Sequence, residues 1–542
     1  NTYFASIGPT LAKKFKEPNQ EHGLADSNPN SFVMYDIDVE EIISIVSGMP
    51  MNKPAGLDGI TVRLLEENLD VLGPVLCPLF NHSVRAAMYP SCLKIAKVIP
   101  IHKSGDHSQP SNYRPISVLS IINNIFEKIL ANRFYKFIHQ QHGFRPTYST
   151  STAVMTLTQA ISTILNENKL VAVIFLDLKK AFDTVDHRIL LSKLSHYGFR
   201  GTIFQLLSDY LKDRQQAVLI NNFTSSMSHL STGVPQGSVL GPLLFSLYIN
   251  DLPQILQPSN ILMYADDTCV VVTGKNLTDL ESKSNMELEK VAQWLSNNKL
   301  SINTDKTKCI TFHSRLRFIN AIDIHIKIDD FVIEQVTTIK YLGVTIDNNL
   351  QWQMQIQNVC SKLTSGCHAL TQTRKYFNTT TLRMLYCAFI HCHISYCIES
   401  WGGTYTIYLD PVRRLKKRAV RIITHSKYND PSKPLFSRLF ILPFDKLWKL
   451  KLARCVHTVI NYNHPFHVSM FSAPSRSNRQ LTFGKWNIPR TNNVYDERLL
   501  QFVGIKIWNV IPFEIKMCSN FTKALEKHYL EECTDLLMSC HN

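Results

Sequence analysis

Residues 261–272 read ILMYADDTCVVV, two apolar half-strands around the adjacent acids Asp266 and Asp267. The period and the central polar pair predict a tight β-hairpin with the carboxylates at its tip. Taken alone, an ordinary acidic turn reads the same way. A second stretch, LVAVIFLDLKKAFDTVDHRILLSKL at 170–194, changes the weighing. Val171 to Leu176 form an unbroken apolar run, which predicts a strand buried on both faces. Asp177 ends that run, where an ionised carboxylate is costly unless it meets a cation or simply leaves into solvent.

Three carboxylates at strand ends and turns repel one another if they converge, and a divalent cation relieves that repulsion. Oxygen ligands favour Mg²⁺. Two such ions ~4 Å apart can clamp the attacking and leaving oxygens of an in-line phosphoryl displacement. STGVPQGSVLGPLLFSLYIND at 231–251 adds a Gly-rich turn before an apolar helical stretch, with Gly233, Gly237 and Gly241 freeing the backbone. It has neither dinucleotide-fingerprint nor P-loop spacing. Upstream, VIPIHKSGDHSQPSNYRPISVLS at 98–120 sets Lys103 and Arg114 on either side of a polar loop. Both suit triphosphate oxygens, Arg114 through a bidentate fork; both would also be unremarkable on a surface.

Composition agrees with this direction. The 542 residues are 44% hydrophobic, enough for large cores and too many for a disordered chain. The net charge of +15 favours a polyanionic partner. No apolar run approaches the ~18 residues of a membrane span, and no secretory signal is visible. Thirteen cysteines without framework spacing fit a reducing compartment. In YCAFIHCHISYC, the group Cys387, Cys392, His393 and Cys397 reads as an apolar helix with buried thiols rather than a zinc site. Between Asp410 and Arg454 there are 13 Lys/Arg against 3 Asp/Glu. Arg414, Lys417 and Arg421 fall on one helical face there, with Leu415, Ala419 and Ile422 toward another. Residues 470–495 read as a linker and 497–532 as helical.

The order of these segments resembles the reverse transcriptases of non-LTR (LINE-type) retrotransposons, close to the jockey and chicken-repeat branch. GLDGIT (56–61), NYRPISVLS (112–120) and HGFRP (142–146) are similar to the family's early motifs. FLDLKKAFDTVDH, GVPQGSVLGP, YADD, LSINTDKTK (300–308) and IKYLGVTID (339–347) follow in the family's order. SYCIESWG (395–402) and IWNVIP (507–512) resemble its thumb and C-terminal blocks.

The resemblance implies an α+β right-hand polymerase fold of fingers, palm and thumb, with an antiparallel palm sheet and a mainly helical C-terminal region. It implies a linker at 1–47, fingers and palm at 48–338, primer grip and helical thumb at 339–425, and a basic region at 426–542. The implied activity is RNA-directed DNA polymerase, copying element RNA from a DNA 3′ end. Asp177, Asp266, Asp267 and the Leu178 carbonyl would bind two Mg²⁺ ions, with Mn²⁺ as a substitute. Lys103 and Arg114 would hold the dNTP triphosphate, and Gln236 and Gly237 would pack on the nascent base pair. Phe182 would exclude a ribose 2′-hydroxyl. Lys306 is the general-acid candidate, with Lys308 competing. Tyr341, Leu342 and Gly343 would position the primer, and Arg414, Lys417 and Arg421 would hold nucleic acid. The opening NTYFASIGPTLAKKF resembles the linker after an endonuclease, so an upstream endonuclease domain absent from these residues is expected. So is an intracellular ribonucleoprotein setting, in nucleus and cytoplasm, without a membrane. The alternatives are a domesticated or degenerate RNA-binding scaffold without turnover, and a maturase- or telomerase-like polymerase.

Overall fold

The computed structural model describes residues 1–13, 15, 27–141, 149–256, 260–313, 324–461, 471, 484–491 and 494–538. HGFRP therefore lies outside the described residues, as does most of 470–495. In chain order the strands are β1 (Ile95–His102), β2 (Tyr113–Val118), β3 (Leu170–Leu176), β4 (Arg214–Ile220), β5 (Phe223–Thr224), β6 (Ser228–Leu230), β7 (Asn260–Tyr264) and β8 (Asp267–Gly274). Then come β9 (Lys308–Phe312), β10 (Lys327–Ile328), β11 (Phe331–Val332), β12 (Glu334–Gln335), β13 (Thr338–Tyr341) and β14 (Val344–Asp347). With the helices around them they make a mixed α/β fold.

The first sheet runs β2-β1-β4-β5, with β6 also on β4; β1 and β2 form an antiparallel hairpin and β1 lies parallel to β4. The second runs β12-β9-β3-β8-β7. It is antiparallel except for the short parallel pairing of β12 with β9. β3 is buried at every position. Leu170, Ala172, Ile174 and Leu176 enter one core, with residues of the helices Ile121–Gln141, His187–His196, Leu240–Ile249 and Leu277–Asn297. Val171, Val173 and Phe175 enter another, with the helices Thr150–Asn166, Gln353–Thr373, Thr406–Ile423 and Phe444–Asn461. A central antiparallel strand covered on both faces has no polar side to alternate with, so its sequence reads as a continuous apolar run.

The second core continues across position 425. Val420 and Ile423 belong to it together with Phe436, Leu447, Leu450 and Trp508. The expected helix over 497–532 is broken: Ile505–Val510, Phe513–Lys516 and Phe521–Met538 are separate pieces, with Pro512 at the first break. The thiol-rich segment is helical, but only Cys397 is buried; Cys387 and Cys392 are exposed, which corrects the reading of three core thiols. No described helix is long and apolar enough to cross a membrane.

Candidate active site

The site is built at the end of β3. Leu176 pairs with Thr268, so the next step along the register sets Asp177 across from Asp267, the first residue of β8. Tyr264 pairs with Asp267, leaving Ala265 and Asp266 as a two-residue turn. Ala265 takes φ +55°, a left-handed conformation uncommon for a residue with a Cβ, as the tight turn demands. Both acids are exposed at the tip. Asp177 is fixed from the other side. Its N–H donates to Thr307 Oγ1 (3.2 Å), its carbonyl accepts from Asn303 N (2.7 Å), and its Oδ2 accepts from Asn303 Nδ2 (2.8 Å). Leu178 bridges to Ile302, with Lys179 N donating to Ser301 O; these bonds do not use the Leu178 carbonyl.

Cations close the ring. Loss of solvent raises the Asp267 carboxyl above its ordinary range; Asp266 and Asp177 push the same way, and Lys103 and Arg114 oppose them. Burial lowers the Lys103 ammonium, aided by Lys306 and Arg114 and opposed by Asp177 and Asp266. Lys180 is lowered by burial too; Asp183 opposes, while Lys103, Lys306 and Arg114 add to the lowering. The three carboxylates thus share their field with Lys103 and Arg114 of the β1–β2 hairpin, while Lys180 and Lys306 lie within the field of those two cations. Lys308 pairs instead with a carboxylate outside this group: its Nζ meets Glu334 Oε2 at 2.5 Å.

The glycine-rich turn lies against β2. Ser117 N donates to Gln236 O (2.7 Å). Gly237 sits at φ +122°, where a Cβ would come within 2.5 Å of Ser117 O. Gln236 Nε2 donates to Asp183 Oδ1 (3.0 Å). Asp183 Oδ2 is buried without a hydrogen-bond partner. Burial pushes this carboxyl up to about 6, against the pull of Gln236 and Lys180. Beneath it is a cavity of about 30 Å³, closed on one side by the N-terminal helix Thr2–Ala12. That helix packs so closely that a Cβ at Gly8 would collide with the Thr232 hydroxyl and the Asp183 carbonyl. Phe182 is half-buried, stacked on Phe245 at 4.8 Å, and its carbonyl accepts from Val234 N (2.8 Å). The Leu240–Ile249 helix that follows is capped by Glu127, a fully buried residue. Glu127 Oε2 accepts from Val239 N (2.6 Å) and Leu240 N (3.1 Å), and its Oε1 accepts from Asn123 Nδ2 and Tyr210 Oη (both 2.9 Å). A carboxylate at a helix N-terminus is favoured by the free N–H groups and the dipole.

Tyr341, Leu342 and Gly343 lie at the β13–β14 hairpin, whose turn is Leu342 (φ +44°) and Gly343 (φ +80°). Leu342 and Gly343 reach the surface. Tyr341 is corrected as a primer contact: it is 4% exposed, packed on Phe175, and anchors the hairpin to the second core. The turn is pinned by Tyr396 Oη, which donates to Leu342 O at 2.6 Å. On the Thr406–Ile423 helix, Arg414 and Lys417 are exposed. Arg421 is half-buried, with its Nε donating to Asp430 O (2.9 Å) and its guanidinium over Tyr428. Lys180, Asn303, Asp183, Glu127 and Tyr396 are site residues that sequence reading did not single out. The Lys-Lys after Asp177 was the one local signal for Lys180; the others are long-range contacts.

Among the described residues no three His, Cys, Asp or Glu side chains already form a ligand cluster. The three carboxylates nonetheless fit a hard divalent cation by chemistry, since each raises or feels the charge of the others.

Residues 101–346, which hold the strand-end acid, the acidic hairpin tip and the cations beside them, match the family described as reverse transcriptase (RNA-dependent DNA polymerase). That domain is of the LINE type, from non-LTR retrotransposons. The chain is 30% identical over 413 residues to a probable RNA-directed DNA polymerase from transposon BS of Drosophila melanogaster, covering 72% of this chain and 45% of that protein. It is 29% identical over 341 residues to the RNA-directed DNA polymerase from mobile element jockey of the same organism, covering 60% and 36%. A probable polymerase from transposon X-element, also of Drosophila melanogaster, is 26% identical over 399 residues, covering 71% and 43%. The chain thus spans less than half the length of these relatives.

Proposed function

We propose that this chain is an RNA-directed DNA polymerase that copies retrotransposon RNA into DNA from a DNA 3′ end, working as a ribonucleoprotein in nucleus and cytoplasm. The observation that carries the reading is the meeting of Asp177, Asp266 and Asp267 with Lys103 and Arg114, with Lys180 and Lys306 beside those cations, inside the span that matches the family. In this reading 48–338 form fingers and palm, the β13–β14 hairpin and the helices to 425 form the primer grip and thumb, and 426–542 extend the thumb's core.

Asp177, Asp266, Asp267 and the Leu178 carbonyl would hold Mg²⁺, which when bound supplies charge stabilisation at the attacking and leaving oxygens. The protein's own groups do the rest. Lys103 and Arg114 face the acids from the β1–β2 hairpin and hold the triphosphate, Arg114 with a fork suited to two phosphate oxygens. Lys306 is placed to give its proton to the departing pyrophosphate oxygen. Gln236, oriented by Asp183, and Gly237, held against β2, form the floor under the nascent base pair. Phe182 stands beside the Gly233–Val234 turn, where its ring would clash with a ribose 2′-hydroxyl. Leu342 and Gly343 guide the primer end, and Arg414 and Lys417 offer phosphate contacts.

The test is primer extension by the purified chain on an RNA template with Mg²⁺. The expected result is dNTP incorporation that Asp266→Ala abolishes and Phe182→Val opens to rNTP. Incorporation unchanged by Asp266→Ala would remove the catalytic assignment.

A further inference from the structure

From Asn348 to Ile398 the sequence contains no Asp or Glu, while Lys362, Arg374, Lys375 and Arg383 all fall within it. Among the described residues none of these four cations meets a carboxylate. The segment folds into the Gln353–Thr373 helix, a turn, and the Thr379–Tyr386 helix, and it packs beside the Thr406–Ile423 helix. That neighbour adds Arg414, Lys417 and Arg418, all exposed. A patch so free of acids carries an uncompensated positive field.

Aromatic rings stand out of the same patch. The turn reads Arg374-Lys375-Tyr376-Phe377, and its rings are 82% and 46% exposed. Arg383, on the next helix, holds its guanidinium 5.8 Å from the ring of Phe440, itself 65% exposed. Helix geometry does not force these rings outward, because the turn and helix also send Leu382 and Tyr386 into the core. Burying Tyr376 and Phe377 elsewhere would gain roughly 2 kcal/mol each. Their display beside unpaired cations therefore calls for a partner that offers both flat apolar faces and negative charge.

We propose that the Arg374–Phe377 turn and the outer face of the Thr379–Tyr386 helix bind an unpaired polynucleotide strand, its bases stacking on Tyr376 and Phe377 and its phosphates on Arg374, Lys375 and Arg383. A duplex hides its base faces and could use only the cations. A single strand offers a π-face at every nucleotide, and stacking on such rings is tolerant of sequence. The strand is either RNA or DNA, since rings and phosphate contacts are common to both. This surface uses none of the proposed active-site residues, so it can fail or stand without the polymerase reading.

The experiment uses the full chain carrying Asp266→Ala, without dNTPs and with the cleft filled by an unlabelled primer–template. Fluorescence anisotropy measures binding of labelled 12-nucleotide oligo-U, oligo-dT and a 12-base-pair duplex. Changing Tyr376 and Phe377 together to Ala should weaken single-strand binding at least fivefold, leaving the duplex within about twofold. Tyr376→Phe should keep full affinity. Changing Arg374 and Lys375 to Ser should weaken binding of all three probes and lower the salt slope on oligo-U by about 1.4. Tighter oligo-U points to an RNA strand, tighter oligo-dT to a DNA strand, and parity to a site reading only rings and phosphates. Single-strand affinity unchanged in the double alanine variant, or an equal loss on single strand and duplex, overturns the proposal.

Discussion

Replacing Asp183 by Asn should make the protein more stable at neutral pH, although the residue holds the side chain of Gln236. The carboxyl is buried, one oxygen has no partner, and its pKa stands at about 6 against an ordinary 3.8. For an acid raised on folding, the native state holds the proton more tightly. The destabilisation is absent below the unfolded value and grows as pH rises through the folded one. Across this window it amounts to roughly 3 kcal/mol at pH 7.5. By pH 4.5 it has fallen to about 1 kcal/mol. Asn keeps an oxygen for Gln236 and removes the charge, while its amide faces a cavity of about 30 Å³, room enough for a water. With an unfolding entropy of about 2.1 cal/mol/K per residue, a chain this long shifts about 1 °C in Tm per kcal/mol. Thermal unfolding of D183N should therefore show a gain near 3 °C at pH 7.5 and about 1 °C at pH 4.5. An equal shift at both pH values, or a loss at pH 7.5, would refute the claim that an ionised, poorly solvated carboxylate sits there. Activity should move oppositely, because the charge-assisted hold on Gln236 weakens.

The remaining predictions concern neighbouring groups. Lys306→Ala should slow single-turnover incorporation by about 100-fold or more; Lys308→Ala, whose ammonium is taken by Glu334, should change it less than about threefold. Equal effects would undo the distinction between them. Glu127→Leu orphans four donors, two at the start of the Leu240–Ile249 helix and two on Asn123 and Tyr210, and should destabilise by about 4 kcal/mol. A melting point unchanged within a degree would show that those bonds are replaceable. Gly237→Ala must force a Cβ toward Ser117 O at φ +122°, so KM for dNTP should rise at least tenfold while far-UV dichroism is preserved; normal kinetics would mean that β2 and the turn move apart freely.

The three clustered acids were legible because burial and charge conflict in their immediate sequence. An apolar run stopped by Asp177, and a hairpin with Asp266 and Asp267 at its turn, are local patterns, and the register joins them. Tyr341 was misjudged for a related reason. The motif marks a hairpin, but whether its first residue points to the primer or to Phe175 depends on the face that packs against β3 and β9, which no short motif encodes. Glu127 and Asn303 were invisible because each acts across more than 100 residues of chain. Lys416 is one of the 13 Lys/Arg counted between Asp410 and Arg454. It is fully buried on the inner face of the Thr406–Ile423 helix, its ammonium lowered by burial to about 7. Charge counting cannot tell an inward lysine from an outward one. The boundary at 425 followed the extent of the family resemblance, whereas packing follows the second core straight across it.

The contact of Gly8 with Thr232 and the Asp183 carbonyl has a practical side. The first helix of this chain is wedged under the turn that carries Gln236, so force on the helix is passed to that turn. A purification tag, a tether to a bead, or a rigid fusion attached there pulls on Thr232 through less than two turns of helix, and rates measured on such a preparation would report the attachment as well as the enzyme.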